Sequence, residues 1–372
     1  MVERAGLENR NTRKRIVGSN PTLSANEKRP LRPFFHWWGA GVMKRRFAFI
    51  AALVLLFTQA GATIAAQRQL APEIELFIGE MVEKHQFKDA MLRRLFAKVE
   101  PNPAVISAIS TPITARPWHE FRSRFVDAAR INGGVRFWRE HAATLERASR
   151  RFGVPAEIIV ATIGVETIYG RHTGGFGVLE ALTMLAFHYP PRADLFRSEL
   201  VQYLLLAREA RFDATSMKGS YAGAIGIPQF LPSSYRHYAV DFDGDGKRDL
   251  VKSPADAIGS VANYYKAHGW RAGEPIVVPV EAVGLGADAL VEAGIKPRHN
   301  VAELKRLGVI PAVPIEDEVK AALFVVETET GPRYWLGLNN FYVITRYNRS
   351  INYSLAVYDL ARELRALARP EG

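Results

Sequence analysis

Ile158-Ile-Val-Ala-Thr-Ile-Gly-Val-Glu-Thr-Ile-Tyr-Gly170 follows Pro155, a residue suited to the first position of a helix, and is apolar or small at nearly every position except Glu166. The stretch predicts a helix over 155–170 with one carboxylate stranded among apolar side chains. Its neighbours three and four positions away are Thr162, Ile163, Tyr169 and Gly170, and none can neutralise it. Desolvation then raises its pKa toward the range of a general acid. The plain alternative is a structural glutamate bonded to a cap or an arginine, and the context of the helix has to decide between them.

Outward from this helix, apolar residues at helical spacing predict further helices over 72–100, with Leu76, Phe77, Met81 and Val82 on one side, and over 116–149, 175–187, 192–209 and 253–268. Gly133-Gly134, Gly153-Val-Pro155, Gly174-Gly175 and Pro190-Pro191 punctuate them. From Glu274 the texture changes to β-branched runs at 276–280, 322–327 and 334–345, which predict strands around a short helix near 301–307. A last helix is expected over 353–368. No internal repeat is present. The pattern is α+β, mainly α, with a small sheet inserted in or appended to a helical body.

Two segments carry hydrogen-bonding and charged groups at informative spacings. Lys218-Gly-Ser-Tyr-Ala-Gly-Ala-Ile-Gly-Ile-Pro-Gln-Phe-Leu-Pro-Ser-Ser-Tyr235 lies between helical regions. As a cleft wall, its glycines would let backbone approach a ligand, while Ser220, Gln229 and the tyrosines meet hydroxyl and amide groups and stack on pyranose faces. As a plain element it is a tight connection between packed helices. Asp241-Phe-Asp-Gly-Asp-Gly-Lys-Arg-Asp249 matches the opening of a calcium loop, with Asp241, Asp243 and Asp245 at positions 1, 3 and 5, Gly246 at the sharp turn and the Lys247 carbonyl at position 7. Carboxylates so close in sequence repel unless a hard cation neutralises them. Position 12 is Lys252, which cannot be the bidentate acid; Asp256 closes the ring if the loop is longer, and Asp249 is also available. A solvated Asp/Gly-rich turn is the alternative.

The 372 residues are 48% hydrophobic and 23% charged, which excludes collagen-like, long-range disordered and multi-span membrane classes. Cysteine is absent, so disulfide frameworks, thiolate zinc sites, cysteine nucleophiles and cysteine-linked lipid anchors are excluded. The formal charge is +11, but residues 1–66 hold eleven Lys/Arg against three acids, and the remaining 38 basic and 35 acidic residues nearly balance. No nucleic-acid partner is therefore expected. Motifs of zinc proteases, α/β-hydrolases, P-loop proteins and dinucleotide-binding proteins do not occur, and the nine histidines, His119, His141, His188 and His268 among them, lack metal-ligand spacing.

Met43-Lys-Arg-Arg46, the apolar run 47–57 and the small residues up to Ala65 and Ala66 form the three parts of a secretory signal. Cleavage near Ala66 and an uncleaved anchor using 47–66 are both open, and both place the body outside the cytoplasm. Residues 1–42 are Arg/Pro/Asn-rich and non-periodic, and are expected to be a non-native or disordered extension; Gly18-Ser-Asn-Pro21 is what a common transfer-RNA T-arm sequence encodes in one frame.

Gly164-Val-Glu-Thr167, Gly219-Ser-Tyr-Ala-Gly-Ala-Ile-Gly226 with Gln229-Phe230, the acidic stretch 241–246, Ala257-Ile-Gly-Ser-Val-Ala-Asn-Tyr264 and Asn340-Phe-Tyr-Val-Ile-Thr-Arg-Tyr-Asn348 together resemble, in that order, the lytic murein transglycosylase B family. The resemblance runs over roughly 70–366. It implies a lysozyme-like helical core at 151–272 holding an EF-hand-type calcium loop, a flanking helical domain at 67–150, a small β domain at 273–338, and a segment at 339–372 returning to the core. By position it implies Glu166 as the catalytic acid, with Arg192, Ser220, Gln229, Tyr264, Tyr347, Asn348 and Tyr353 lining a glycan cleft. Pro191-Arg192 stands where the family can show two arginines, and Phe121 and Leu195 where it can show aromatic hydroxyls, changes that bear on outer subsites.

The implied activity is cleavage of the β-1,4 bond between N-acetylmuramic acid and N-acetylglucosamine in peptidoglycan, leaving 1,6-anhydromuramic ends. A structural Ca²⁺ and no organic cofactor are implied. So are glycan strands and cell-wall synthesis enzymes as partners, a monomeric state, a periplasmic location, and membrane association only with an uncleaved signal. Two rival readings of the same residues are a hydrolytic muramidase and a non-catalytic, calcium-dependent wall-binding module.

Overall fold

The structure, a computed structural model, describes residues 69–110 and 116–368; the signal, anchor and extension readings for 1–66 lie outside them. The described chain runs through α1 (Pro72–His85), α2 (Asp89–Phe96), α3 (Pro103–Ile109), α4 (Trp118–Phe125), α5 (Ala128–Glu140), α6 (Ala142–Phe152) and α7 (Ala156–Thr167). Then come β1 (Phe176–Gly177), α8 (Val178–His188), a 3-10 turn (Pro190–Arg192), α9 (Ala193–Ala210), β2 (Lys218–Gly219), α10 (Pro232–Tyr238) and α11 (Pro254–Ala267). The remainder is β3 (Val277–Ala282), α12 (Ala287–Glu292), β4 (His299–Asn300), α13 (Val301–Arg306), β5 (Ile310–Pro311), β6 (Lys320–Thr328), β7 (Gly331–Gly337), α14 (Asn339–Tyr347) and α15 (Ile351–Ala368). None of the described helices is long and apolar enough to cross a membrane.

Long helical patterns in the sequence are cut where a local hydrogen bond competes with the helix. The stretch 72–100 breaks at Gln86, which takes a left-handed φ of 57° and closes α1 with its N–H on Val82 O. The packed side of α1 is made by Phe77, Ile78 and Met81, while Leu76, expected there, is 73% exposed. One residue is about 100° of helical rotation, enough to carry Leu76 past the edge of the buried stripe. The stretch 116–149 breaks where the Asp127 carboxylate accepts from Arg130 N at 2.8 Å and caps α5. Gly133-Gly134, read as punctuation, lies inside α5.

The β-branched run 334–345 is strand only as far as Gly337 and then turns into α14. Asn340 imposes the change: its buried side chain accepts from Arg271 N at 2.9 Å and donates to Arg271 O and Glu274 O at 2.8 and 3.0 Å. With the turn anchored, Phe341, Val343 and Ile344 bury one helical face, and packing overrides strand propensity.

The five-stranded sheet has the order β4-β6-β7-β3-β5, with every pairing antiparallel. Alternation along the strands gives it two apolar faces. Leu323, Leu336 and Val278 pack with Leu290 of α12 and Val301 and Leu304 of α13, whereas Phe324, Val326, Trp335 and Val277 join the core of the helical body. At the centre of that body, α7 packs against α5, α6, α11 and α15 and is buried at every position from Ile158 to Val165.

Candidate active site

Glu166 sits in the last turn of α7. Immediately after it, Ile168 and Tyr169 both take left-handed φ values, 50° and 61°. A β-branched residue there is strained, so the surrounding structure must impose the turn. Tyr169 folds back over Gly133 and Gly134 of α5 and Gly164 of α7, where a Cβ on Gly164 or Gly134 would overlap its hydroxyl. That hydroxyl donates to Arg130 O at 2.7 Å, and Arg130 Nε donates to Gly164 O at 3.1 Å. Thr167 donates to Ile227 O at 2.8 Å and accepts from Gly170 N at 2.9 Å. These bonds tie the end of α7 to α5 on one side and to the glycine-rich segment on the other.

The Glu166 side chain is half-buried and stripped of most of its hydration. Burial raises its pKa from the usual 4.5 to about 7, against an opposing hydrogen bond from Tyr353, whose hydroxyl donates to Oε1 at 2.6 Å. Among the described residues no cation and no second carboxylate contributes to that shift. The neighbours named from helical spacing are otherwise engaged: Thr162 shares a 2.8 Å hydrogen bond with Tyr265, and Tyr169 serves Arg130. Among the described residues Glu166 has neither an arginine nor a helix cap as partner, only the Tyr353 hydroxyl.

Aromatic rings continue from Tyr353. Tyr347 stacks 6.4 Å away at 14° between planes, and around it lie Tyr264 at 4.8 Å, Tyr265 at 5.6 Å and Phe230 at 5.7 Å. The Tyr347 hydroxyl donates to Pro228 O and that of Tyr264 to Arg346 O, both at 2.5 Å. Burial holds the pKa values of Tyr264, Tyr265, Tyr347 and Tyr353 well above the usual one, so they stay neutral and donate.

The other residues that the resemblance places in the cleft are held with valences to spare. Gln229, at a φ of 51°, donates through Nε2 to Thr173 O and Gly226 O at 3.0 Å, which leaves its amide oxygen without a protein partner among the described residues. Ser220 Oγ accepts from Ala222 N and Ala224 N at 3.2 and 3.1 Å and keeps its proton to donate. Asn348 is exposed, its Oδ1 taken by Ser350 N at 3.1 Å. Arg192 is exposed and lies over the Phe196 ring at 5.3 Å, and no hydrogen bond or ring contact among the described residues joins it to the Glu166 group. Of the two replacements noted in the sequence, Phe121 is buried against Phe125 and Leu195 is 38% exposed. The segment 218–235 is a tight connection, with Ile225 bridged to Phe230, and is hydrogen-bonded to the end of α7 through Ile227 O.

In the acidic loop, carboxylate oxygens of Asp241, Asp243 and Asp256 converge within 4.8 Å of one another. Asp256, in the first turn of α11, is completely buried; its oxygens accept from Phe242 N and Asp249 N, each at 2.7 Å, and burial raises its pKa. Asp245 and Asp249 stand outside this group, turned onto the loop backbone through Lys247 N at 2.8 Å and Val251 N and Lys252 N at 2.9 Å. Converging carboxylates without a basic side chain among them suit a hard cation. The loop reaches the cleft through Leu250 O, which accepts from Ile227 N at 2.8 Å.

A family model described as the transglycosylase SLT domain matches residues 69–362, the segment that carries all of this geometry. The chain belongs to the transglycosylase SLT family. It is 41% identical over 308 residues to the membrane-bound lytic murein transglycosylase B of Escherichia coli (strain K12), covering 80% of this chain and 84% of that protein. Among solved structures it is similar to the soluble lytic transglycosylase SltB1 from Pseudomonas aeruginosa, at a TM-score of 0.75 and 48% identity over 80% of this chain and 100% of that one. The Escherichia coli lytic transglycosylase Slt35 in complex with calcium gives 0.72 and 39%, over 80% and 94% of the two chains. SltB3 from Pseudomonas aeruginosa in complex with NAG-NAM-pentapeptide gives 0.69 and 34%, over 80% of each. The chain is thus a lytic transglycosylase, with the mostly helical fold and small sheet of these relatives.

Some residues that shape this transglycosylase site escaped the sequence reading. Tyr265 lies beside Tyr264 in sequence and gives no other signal, and Thr167 stands in the quoted block 164–167 without any sign of the hydrogen bonds it makes. The Arg130–Tyr169 clamp spans 39 residues and leaves only the glycines it packs on as a trace.

Proposed function

We propose that this lytic transglycosylase cleaves the β-1,4 bond between N-acetylmuramic acid and N-acetylglucosamine in peptidoglycan with Glu166 as its single acid and base, leaving 1,6-anhydromuramic ends. The observation that carries the reading is one half-buried carboxyl, with its pKa raised by burial to about 7 and Tyr353 on Oε1, that has no carboxylate partner among the described residues. With Oε1 accepting from Tyr353, the proton of the neutral acid resides on Oε2 and passes to the glycosidic oxygen as the C1–O bond breaks. The positive charge left at C1 is stabilised by the substrate's own N-acetyl group, which takes the place of a second enzyme carboxylate. Glu166, now ionised and still bonded to Tyr353, removes the proton of the C6 hydroxyl, whose oxygen closes on C1. No water is consumed, and the enforced proximity of O6 favours the internal attack.

The cleft assignment rests on the same geometry. Tyr264 and Tyr353 are buried and pack with Tyr347, so these tyrosines back the cleft and hold its wall, while Ser220, Gln229 and Asn348 keep unused donors or acceptors for the sugar. Arg192 belongs to an outer subsite. Glycan strands as partner are supported by the NAG-NAM-pentapeptide complex of SltB3. A structural Ca²⁺ held by Asp241, Asp243 and Asp256 is supported by their convergence and by the calcium complex of Slt35; bound there, it neutralises the cluster and stiffens the loop behind Ile227. The division into 67–150, 151–272, 273–338 and 339–372 and export to the periplasm from a signal at Met43 complete the proposal.

Digestion of purified sacculi in heavy-oxygen water tests the reaction. Internal attack leaves the new muramic end unlabelled, whereas a muramidase places solvent oxygen on C1.

A further inference from the structure

Far along the helical part of the chain, a groove of about 830 Å³ opens between the α2 segment and the end of α9, and it shares no lining residue with the Glu166 group. Its floor is Phe87, Leu95, Leu204 and Phe212, with Met91, 41% exposed, at the mouth. The α2 segment is apolar on two sides. Leu92 and Phe96 are buried in the core, while Met91 and Leu95 face the groove, flanked by Lys88 and Lys98 at the same helical spacing. The rim is formed by Lys88, Arg94, Lys98 and Arg208, against the single acid Asp213.

Arg208 is spent on the Phe87 ring, 4.3 Å away, and on His85 O, while Asp213 is bonded to Thr215 and its charge also faces Lys98, which leaves Lys88 and Arg94 as the unengaged cations of the rim. Lys88 and Arg94 make no side-chain hydrogen bond or ion pair among the described residues. The rim therefore offers mainly donors and positive charge, with the Gln86 amide and the engaged Asp213 as its side-chain acceptors. An extended peptide laid in the groove would bring a backbone N–H at nearly every residue and find few acceptors for them. An acyl chain needs none, and a phosphate head brings only acceptors.

We propose that this groove binds the acyl chain of an anionic phospholipid, with its phosphate among Lys88, Arg94 and Lys98. The volume lies within the range of small-molecule sites, and the apolar floor with a cationic mouth matches such a ligand in polarity and charge.

The test is calorimetric titration of the full chain, below the micellar range, with lauroyl lysophosphatidylglycerol and with lauroyl lysophosphatidylcholine, which has the same chain and phosphate but a compensating cation. The expected result is saturable one-to-one binding of the anionic lipid, weakened by salt, and binding of the zwitterionic lipid weaker by about tenfold or more. Lys88→Glu with Arg94→Glu, both exposed, should weaken the anionic lipid by about tenfold or more while leaving thermal unfolding and digestion of sacculi unchanged. Met91→Asp should do the same through the apolar mouth. Equal affinity for the two lipids, unchanged binding by the double variant, no saturable binding, or saturation by an acidic amphipathic helical peptide where the lipid fails would each overturn the proposal.

Discussion

A carboxyl that titrates near neutrality can lend a proton and take it back within one turnover at a single pH, and Glu166 owes that property to burial against one opposing hydrogen bond. The same burial costs stability. Its folded pKa of about 7 lies above the unfolded value of 4.5, so the folded state binds the proton more tightly, and the penalty of ionising the group grows as pH rises from 4.5 through 7. Glu166→Gln is expected to abolish lysis of sacculi, a loss of about 10²-fold at least. The same variant should match the wild type in thermal unfolding near pH 4 and exceed it near pH 8 by no more than about 3 kcal/mol. A gain that shrinks with rising pH would contradict the assignment. Tyr353→Phe removes the bond that lowers the Glu166 pKa, so the alkaline limb of the kcat/KM profile should move to higher pH. Its kcat should fall by roughly tenfold, because the ionised carboxylate loses a charge-assisted donor. Glu166 was legible in the sequence because a lone charge in an apolar helix is conspicuous. Tyr353 lies 187 residues away and no spacing rule links the two; only family resemblance named it.

At the scale of elements, the end of α7 shows how a helix terminus is made exact enough for chemistry. Gly164 admits the Tyr169 hydroxyl, Tyr169 reaches Arg130 O, and Arg130 returns to Gly164 O, a closed circuit that holds the strained turn after Glu166. Gly164→Ala should destabilise the protein by about 1–3 kcal/mol in urea unfolding and lower kcat with it, since the overlap falls on a hydroxyl already committed. Gly133→Ala, whose Cβ would meet Tyr169 ring carbons at 3.0 Å, should cost less. A reversed order would place the strain elsewhere. Helix content was readable from periodicity, and the strands 277–282 and 320–328 from β-branched runs. The conversion of 339–347 to helix was not, because its cause is a buried amide on Asn340 reaching a linker that local sequence does not indicate.

On the scale of the whole molecule, the acidic loop and the cleft are joined through the Leu250–Ile227 hydrogen bond and the Thr167–Ile227 bond beyond it, so a cation at the loop is expected to steady the site from behind. Calcium at a hundred times its Kd should raise stability by about 2.7 kcal/mol over the protein in chelator. Asp241→Asn should flatten that response while leaving stability in chelator nearly unchanged, because Asn can still accept from Gly244 N or Gly246 N. A thermal shift that persists in the variant would remove Asp241 from the cation's shell. The loop's opening was legible as a motif. Its closure by Asp256 depended on α11 delivering a buried carboxylate back to the loop, which the fold decides. The central claim, one carboxyl acting twice and no water entering, is tested most directly by the mass of the muropeptides released from purified sacculi. Wild-type products are expected to be lighter by one water than those of a muramidase, with none from Glu166→Gln; reducing muramic ends from the wild type, or release by the variant at wild-type rate, would rule out the single-carboxyl reaction.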